Sequence, residues 1–221
     1  MKDLLASDAN SQALLALQPY LALLAGDISL DVVGEMSSSL FETPSFDLAA
    51  QHLKSDPQSA ELIEQRYMAP PHKLEVLLQY PSDSLGFIYA KKMKSQGLRV
   101  EDLYEKIPVY SDASYIEARL SQTHDIWHIV TDFGVSPIEE IGLQAFHLPQ
   151  FPYPLAISLL SSSLMSTLLF NAQEIPNLLA AIQRGWDMGK KAKSLFAQKW
   201  EEAWEKPLAQ WRAELNVMPF S

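Results

Sequence analysis

The stretch SYIEARLSQTHDIWHIVTDFGVSPIEE, residues 114–140, determines how this chain folds around its most informative residues. Its apolar side chains recur at helical spacing, which predicts a helix over Ser114–Phe133. Gly134 is expected to stop that helix. Ser136-Pro137 then begins the next helix, with serine at the N-cap and proline in the first helical position. The stretch therefore predicts two consecutive helices joined by a tight loop.

Two histidines on the first of these helices indicate a divalent-metal site. His124 and His128 are four residues apart, so both rings lie on one helix face and can reach one ion. In the second helix, Glu139 completes a capping-box pattern and is explained by backbone capping. Glu140 has no such structural duty, and the tight loop can bring it back over the two histidines. Asp125 is either a fourth ligand or a residue that orients an imidazole.

The chain contains no cysteine, so any metal must be held by nitrogen and oxygen ligands. Two imidazoles with one or two carboxylates make Zn²⁺ the leading ion. Fe²⁺ is the alternative, because two histidines and one carboxylate also form the facial triad of non-haem iron sites. Mg²⁺ prefers oxygen ligands and is expected only if a phosphate on the ligand recruits it. His72 and His147 are expected to be surface or core histidines.

The remaining pattern is helical almost throughout and predicts an all-α fold, a single compact multi-helix domain over residues 1–221. Trp200, Trp204 and Trp211 recur at helical spacing and are expected to lie in the core. Pro207 predicts a kink or break in the last helix. The further predicted helices are 11–24, two short helices within 48–66, 72–79, 85–95, 155–170, 175–193 and 194–215. Strand signals are restricted to 98–100 and 107–109.

Composition excludes some functions. The formal net charge of −10 argues against general nucleic-acid binding, which needs a basic surface. No run reaches the roughly 18 to 20 apolar residues of a membrane-spanning helix. We recognise no convincing signal peptide or Arg-rich transit segment, so we expect a protein of the cytoplasm.

The chain resembles the ubiquinone (coenzyme Q) biosynthesis protein four family in several separate segments. That family's signature is H-D-x-x-H, then eleven residues, then E, which matches His124 to Glu140 here. Ser84-Leu85-Gly86 followed by Tyr89-Ala90 resembles its S-L-G-x-x-Y-A segment, and Arg66 resembles an arginine upstream of it. The tail from Gly189-Lys190-Lys191 through Trp200-Glu201 to Glu214-Leu215 resembles its C-terminal pattern. The resemblance covers roughly residues 61–217 and leaves residues 1–60 uncovered.

The resemblance implies an all-α fold and a divalent metal held by His124, Asp125, His128 and Glu140. It also implies a role in making prenylated quinones, in which family members are described as organisers of a membrane-associated complex. They are also credited with oxidative removal of the ring carboxyl at C1. The implied partners are a polyprenyl-tailed small molecule or isoprenoid lipid and other quinone-biosynthesis proteins. Because the chain shows no transit segment of the kind expected of mitochondrial members, the resemblance implies a bacterial member of the family. We further expect a homodimer and peripheral contact with the inner face of a membrane.

An isoprenoid tail needs a long apolar groove, and the uncharged segment Leu155–Phe170 is one candidate to line it. The alternative is that this segment is an interior helix of the bundle. Arg66, Lys73 or the lysines around Lys190 are candidates to hold a polar head group. The predicted ligand-binding residues are Arg66, Trp127, Leu155, Leu159 and Met165.

Three functions follow from these residues. The first is a metal-dependent lyase or oxidative decarboxylase of quinone biosynthesis. The second is a lipid-binding scaffold of a biosynthetic complex without turnover. The third is a metal-dependent hydrolase acting on a prenyl phosphate, with Asp125 or Glu140 as the base. The sequence alone does not distinguish an enzyme from a binding protein.

Overall fold

The structure is a computed structural model that describes residues 8–97 and 107–219, with side chains from residue 14 onward. These residues form eleven α-helices and two 3₁₀ turns and contain no β-strand, which confirms the all-α, multi-helix fold class. The helices are α1 (Asp8–Leu24), α2 (Leu30–Ser38), α3 (Pro44–Lys54), α4 (Pro57–Gln65), α5 (Leu74–Leu77), α6 (Leu85–Gln96), α7 (Asp112–Thr131), α8 (Pro137–Gln150), α9 (Pro154–Phe170), α10 (Ile175–Lys191) and α11 (Leu208–Leu215), and the 3₁₀ turns are Ala172–Glu174 and Trp200–Glu202.

The helices are grouped in two compact units. The first unit combines the chain up to Leu53 with Ser136–Gly189, and the second combines Lys54–Val135 with the chain from Lys190 onward. The expectation that residues 1–221 form one domain stays a prediction.

In the first unit, α1 packs against α2 and α9, and α8 packs against α9. The Tyr20 hydroxyl of α1 donates to Ser161 Oγ of α9 at 3.1 Å. The core of this unit is made of apolar side chains from all its long helices: Leu23, Met36, Phe46, Leu143, Phe146, Phe151, Leu155, Leu178 and Met188. His147 is 3% exposed, which confirms it as a core histidine.

The second unit places α7 at its centre, in contact with α4, α6 and α11. Trp127 is 1% exposed and lies in the core of this unit. Trp200, Trp204 and Trp211 are buried as predicted, and the Trp200 and Trp211 rings are 4.7 Å apart between centroids.

Some helix boundaries follow from local signals in the sequence. Asp56 caps α4 by accepting from Ser59 N at 2.9 Å, and Pro57 is its first residue. Gly97 ends α6 with a positive φ of 68°, a conformation that glycine adopts without a steric penalty. These two signals confirm the predicted break at Asp56-Pro57 and the predicted end at Gly97.

Four sequence predictions are corrected. The segment 72–79 is helical only over Leu74–Leu77, and helix α7 ends at Thr131, before Gly134. Residues 194–215 do not form one helix, because only a 3₁₀ turn and α11 are helical there, separated at Pro207. The segment 107–109 is not a strand, whereas 98–100 lies outside the described residues.

Candidate metal centre

Helix α7 carries the histidine pair and is fixed at its start by a capping box. Ser111 Oγ accepts from Ser114 N at 3.1 Å, and Ser114 Oγ accepts from Ser111 N at 2.9 Å. Further along the helix, the Arg119 guanidinium donates to both carboxylate oxygens of Glu201 at 2.7 and 2.9 Å. Their side chains are 1% and 7% exposed. This buried bidentate pair ties the middle of α7 to the C-terminal segment.

The two histidines face each other across one turn of α7. His128 Nε2 lies 3.1 Å from His124 Nε2, and the ring planes are nearly perpendicular, at 86°. His128 is 3% exposed, whereas His124 is half-buried. Two nitrogens bound to one tetrahedral Zn²⁺ at 2.0–2.1 Å lie about 3.4 Å apart. The observed separation of the two nitrogens is close to what one ion requires.

A backbone carbonyl selects the nitrogen that His128 offers. His128 Nδ1 lies 3.1 Å from the Phe133 carbonyl oxygen. Since a carbonyl only accepts, Nδ1 carries the proton in the neutral ring. The lone pair is then on Nε2, the atom that faces His124. A hydrogen bond from the far ring nitrogen to a carbonyl is the usual support of a metal-binding histidine.

The loop that supplies this carbonyl is held by Arg212 of α11. Its guanidinium donates to the carbonyl oxygens of Ile129 and Val130, both at 2.9 Å, and lies 3.5 Å from Asp132 Oδ1. Asp132 ends α7 in the left-handed conformation, with φ 63°. Arg212 thereby binds carbonyls that the end of a helix leaves without partners, just before Phe133.

Glu140 lies in the first turn of α8. Ser136 caps this helix by accepting from Glu139 N at 3.4 Å, which confirms the serine half of the predicted capping box. The Glu139 carboxylate accepts from Arg184 Nη2 of α10 at 2.5 Å, so its structural duty includes an ion pair that the sequence did not indicate. Glu140 Oε1 accepts from Gln144 Nε2 at 2.8 Å. Arg184 thus binds Glu139, and Gln144 binds Glu140.

His124, His128 and Glu140 form a candidate metal-binding triad. Each residue offers one ligand atom, and the three atoms lie within 4.8 Å of one another. Two imidazole nitrogens and one carboxylate oxygen are ligands that Zn²⁺ and Fe²⁺ both accept. The donor set therefore fits a divalent ion and does not choose between these two metals.

The chain matches the family model described as "Coenzyme Q (ubiquinone) biosynthesis protein Coq4" over residues 7–221. The chain belongs to this family. It is also similar to mitochondrial ubiquinone biosynthesis proteins of Kluyveromyces lactis (29% identical, over 66% of this chain and 44% of the relative) and of the rat (23%, over 76% and 63%). This chain spans about half the length of the first curated relatives that it matches.

A solved structure agrees with this membership. The crystal structure of a candidate ubiquinone biosynthesis protein from Nostoc punctiforme is 32% identical to this chain, with a TM-score of 0.84. The match covers 93% of this chain and 98% of that one. The predicted resemblance to the family is thereby confirmed.

The segment Ser84-Leu85-Gly86, which carries part of the predicted resemblance, has a structural role in this chain. Ser84 caps α6 by accepting from Phe87 N at 3.2 Å. Gly86 N donates to the Trp204 carbonyl oxygen at 2.8 Å, and a Cβ at position 86 would lie 2.9 Å from that same oxygen. Tyr89 packs on the Trp204 ring at 5.1 Å between centroids. The segment therefore binds the C-terminal part of the chain, which is also part of the resemblance.

Asp125 differs from the other predicted ligands in its surroundings. Its carboxylate lies 3.9 Å from Lys92 Nζ, and the two side chains are 15% and 21% exposed. It is not part of the triad of ligand atoms. A role for Asp125 as a fourth ligand or as an orienting residue stays a prediction.

The predicted ligand-binding residues lie in different environments. Leu155 and Leu159 are 5% and 7% exposed in the core of the first unit, whereas Met165, further along α9, is 45% exposed. Trp127 belongs to the core of the second unit. Arg66 ends α4 in the left-handed conformation, and its guanidinium donates to the Ile63 carbonyl at 2.5 Å and to Asp112 at 2.6 Å. Contact of these five residues with a ligand stays a prediction.

Proposed function

We propose that this Coq4-family chain is a divalent-metal component of prenylated quinone biosynthesis that binds a polyprenyl-tailed ring compound. The observation that carries the proposal is the grouping of two imidazole nitrogens and one carboxylate oxygen at His124, His128 and Glu140. Family membership supports the part that concerns ubiquinone biosynthesis. Zn²⁺ is the proposed ion, with Fe²⁺ as the alternative and Mg²⁺ third.

The proposed reaction is oxidative removal of the ring carboxyl at C1. The carboxyl leaves as CO₂, and a hydroxyl supplied by water takes its place on the ring. Dioxygen accepts the two electrons and two protons and leaves as hydrogen peroxide. A bound divalent ion supplies Lewis-acid polarisation of a ring hydroxyl or carboxylate. The residues of the chain would have separate roles. His124, His128 and Glu140 would hold the ion, and Asp125 would orient an imidazole ring or act as a fourth ligand.

The first experiment measures metal content. We expect the purified wild-type protein to contain close to one divalent ion per chain by elemental analysis. His124→Ala and His128→Ala should each lose that ion while remaining folded by circular dichroism. His52→Ala, which removes an exposed histidine of α3, is the matched control and should retain it. Full metal occupancy in the His124→Ala protein contradicts the proposed site.

The second experiment tests turnover. Protein loaded with metal is incubated with a prenylated 4-hydroxybenzoate under oxygen, and release of CO₂ from a labelled C1 carboxyl is counted. Release by the wild-type protein and none by His128→Ala supports the decarboxylase. Tight binding of the prenylated ring without product supports the scaffold instead.

A separate observation supports the alternative hypothesis of a lipid-binding scaffold: α1 and α9 expose apolar side chains. Four leucines of α1 are at least 48% exposed, and Leu164, Met165, Leu168, Leu169 and Phe170 of α9 are 38–69% exposed.

Within the described residues no helix is long and apolar enough to cross a membrane. The exposed apolar residues support the proposed peripheral contact with the inner face of a membrane, and a location in the cytoplasm belongs to the same proposal. A homodimer and contact with other quinone-biosynthesis proteins belong to the same proposal.

A further inference from the structure

Gln144 is a buried polar residue beside the candidate metal centre. It lies one turn after Glu140 on α8 and is only 5% exposed. Its Nε2 donates to Glu140 Oε1 at 2.8 Å. A glutamine buried this deeply loses contact with water at both ends of its amide, so each end needs a partner in the protein or in a ligand.

The chemistry of the carboxylate fixes the orientation of the amide. An ionised glutamate only accepts hydrogen bonds, so the NH₂ group of Gln144 must be the end that faces Glu140. The amide oxygen, Gln144 Oε1, is then the end without a donor: it is buried and has no hydrogen-bond partner among residues 8–97 and 107–219. Leaving such an acceptor unsatisfied costs about 1–3 kcal/mol. A methionine of similar length would avoid that cost.

We propose that Gln144 is a positioning residue for Glu140 and that its Oε1 accepts a hydrogen bond from an O–H group bound beside Glu140. This inference rests on the metal site proposed above. The hydrogen bond to Glu140 Oε1 holds the carboxylate in one rotamer, as the partners of metal-binding carboxylates do. The O–H donor is either a hydroxyl of the ligand or a water molecule.

The test compares two glutamines of the same helix. Gln144→Met removes both amide functions at nearly constant volume. Gln150→Met makes the same chemical change six residues later, where Nε2 donates to the Gly189 carbonyl at 2.9 Å. Zinc affinity is measured for each folded protein by competition with a chromophoric chelator. We expect Gln144→Met to bind Zn²⁺ at least about tenfold more weakly than the wild type and Gln150→Met to bind it equally well.

A second readout separates positioning of Glu140 from a general loss of stability. The visible absorption of Co²⁺ bound in place of Zn²⁺ reports the geometry of the ligands, so it should change in Gln144→Met and not in Gln150→Met. Gln144→Asn, whose shorter amide cannot reach Glu140, is the second variant if Gln144→Met does not fold. It should show the same loss of zinc affinity.

The source of the O–H group is tested with a prenylated 4-hydroxybenzoate and its 4-O-methyl ether. If wild-type protein prefers the free phenol and Gln144→Met does not, the donor is the ligand hydroxyl. If the preference is the same in both proteins and zinc affinity still falls, the donor is water. Unchanged zinc affinity and an unchanged Co²⁺ spectrum in Gln144→Met overturn the inference alone. A wild-type protein that binds no Zn²⁺ overturns the proposed site and the inference with it.

Discussion

At the scale of single residues, His72 is expected to make stability depend on pH. Its ring packs against both Tyr89 and Trp204, at 5.2 and 4.9 Å between centroids. Burial lowers the pKa of His72 from its ordinary value of 6.5, although the negative charge of Glu201 opposes this. The unfolded chain therefore binds this proton more readily than the folded chain does. The contribution of His72 is complete above about pH 6.5 and is lost as the pH falls from there towards the folded-state pKa.

His72→Gln should remove this dependence. We expect the free energy of unfolding, measured by urea denaturation, to fall less steeply below pH 6.5 in the variant than in the wild type. Both proteins should be compared first at pH 8, where the difference reports packing alone. Parallel curves for the two proteins between pH 8 and pH 5 contradict the role of His72.

The sequence predicts those residues of the candidate centre whose relative positions follow from local helix geometry. His124 and His128 share a helix face whatever the rest of the chain does, and Glu140 was separated from Glu139 by the capping pattern. The contact of Gln144 with Glu140 is also predictable, because the two residues are four apart on one helix face. No sequence pattern predicts the contact of Arg212 with the end of α7. Arg212 reaches the end of α7 from about 80 residues away, and only the packed structure shows that contact.

At the scale of the elements, the packing of α10 against α8 depends on glycine. A Cβ at Gly185 would lie 1.9 Å from the Gly142 carbonyl oxygen, and one at Gly189 would lie 2.4 Å from the Phe146 carbonyl oxygen. Both obstacles are backbone atoms and cannot rotate away. Gly185→Ala must therefore push the two helices apart, and we expect it to lower the free energy of unfolding by about 3 kcal/mol or more. Chemical denaturation measures this change.

Gly34 of α2 is the matched control. A Cβ there would meet no atom within 4 Å. Alanine is favoured over glycine inside a helix, so Gly34→Ala should stabilise the protein by up to about 1 kcal/mol. The same substitution is thus expected to change stability in opposite directions at two helical positions. Destabilisation of similar size at both sites would show that the close approach of α8 and α10 is not the cause.

At the scale of the elements, the sequence predicts a helix boundary where a capping residue or a glycine occurs, as at Asp56-Pro57 and Gly97. The prediction of one helix over 194–215 is wrong because backbone groups in the middle of this segment form hydrogen bonds with residues distant in the sequence. Lys206 O accepts from Leu85 N at 3.0 Å, and Leu208 N donates to Asp83 O at 2.9 Å. Tryptophans at helical spacing were correctly placed in the core, but burial alone did not require a helix there.

At the scale of the whole molecule, a formal net charge of −10 accompanies the exposed apolar residues of α1 and α9. A negative protein is repelled by anionic lipid head groups, whereas burial of exposed leucines attracts it to any bilayer. We therefore expect the protein to bind neutral phosphatidylcholine vesicles. It should bind phosphatidylserine-rich vesicles less well at low salt, and added salt should reduce the difference by screening the repulsion. Co-sedimentation with the vesicles measures both.

The contribution of α9 is tested by placing charges on it. Leu168 and Leu169 are 54% and 61% exposed, so replacing both with glutamate should not disturb the core. Each buried leucine is worth about 1.5–3 kcal/mol on transfer from water, so the double variant should bind neutral vesicles at least about tenfold more weakly. Val76→Glu adds a charge at a 46% exposed apolar site of the second unit and should bind like the wild type. Equal losses in both variants would attribute the effect to net charge, and α9 would then not be the membrane contact.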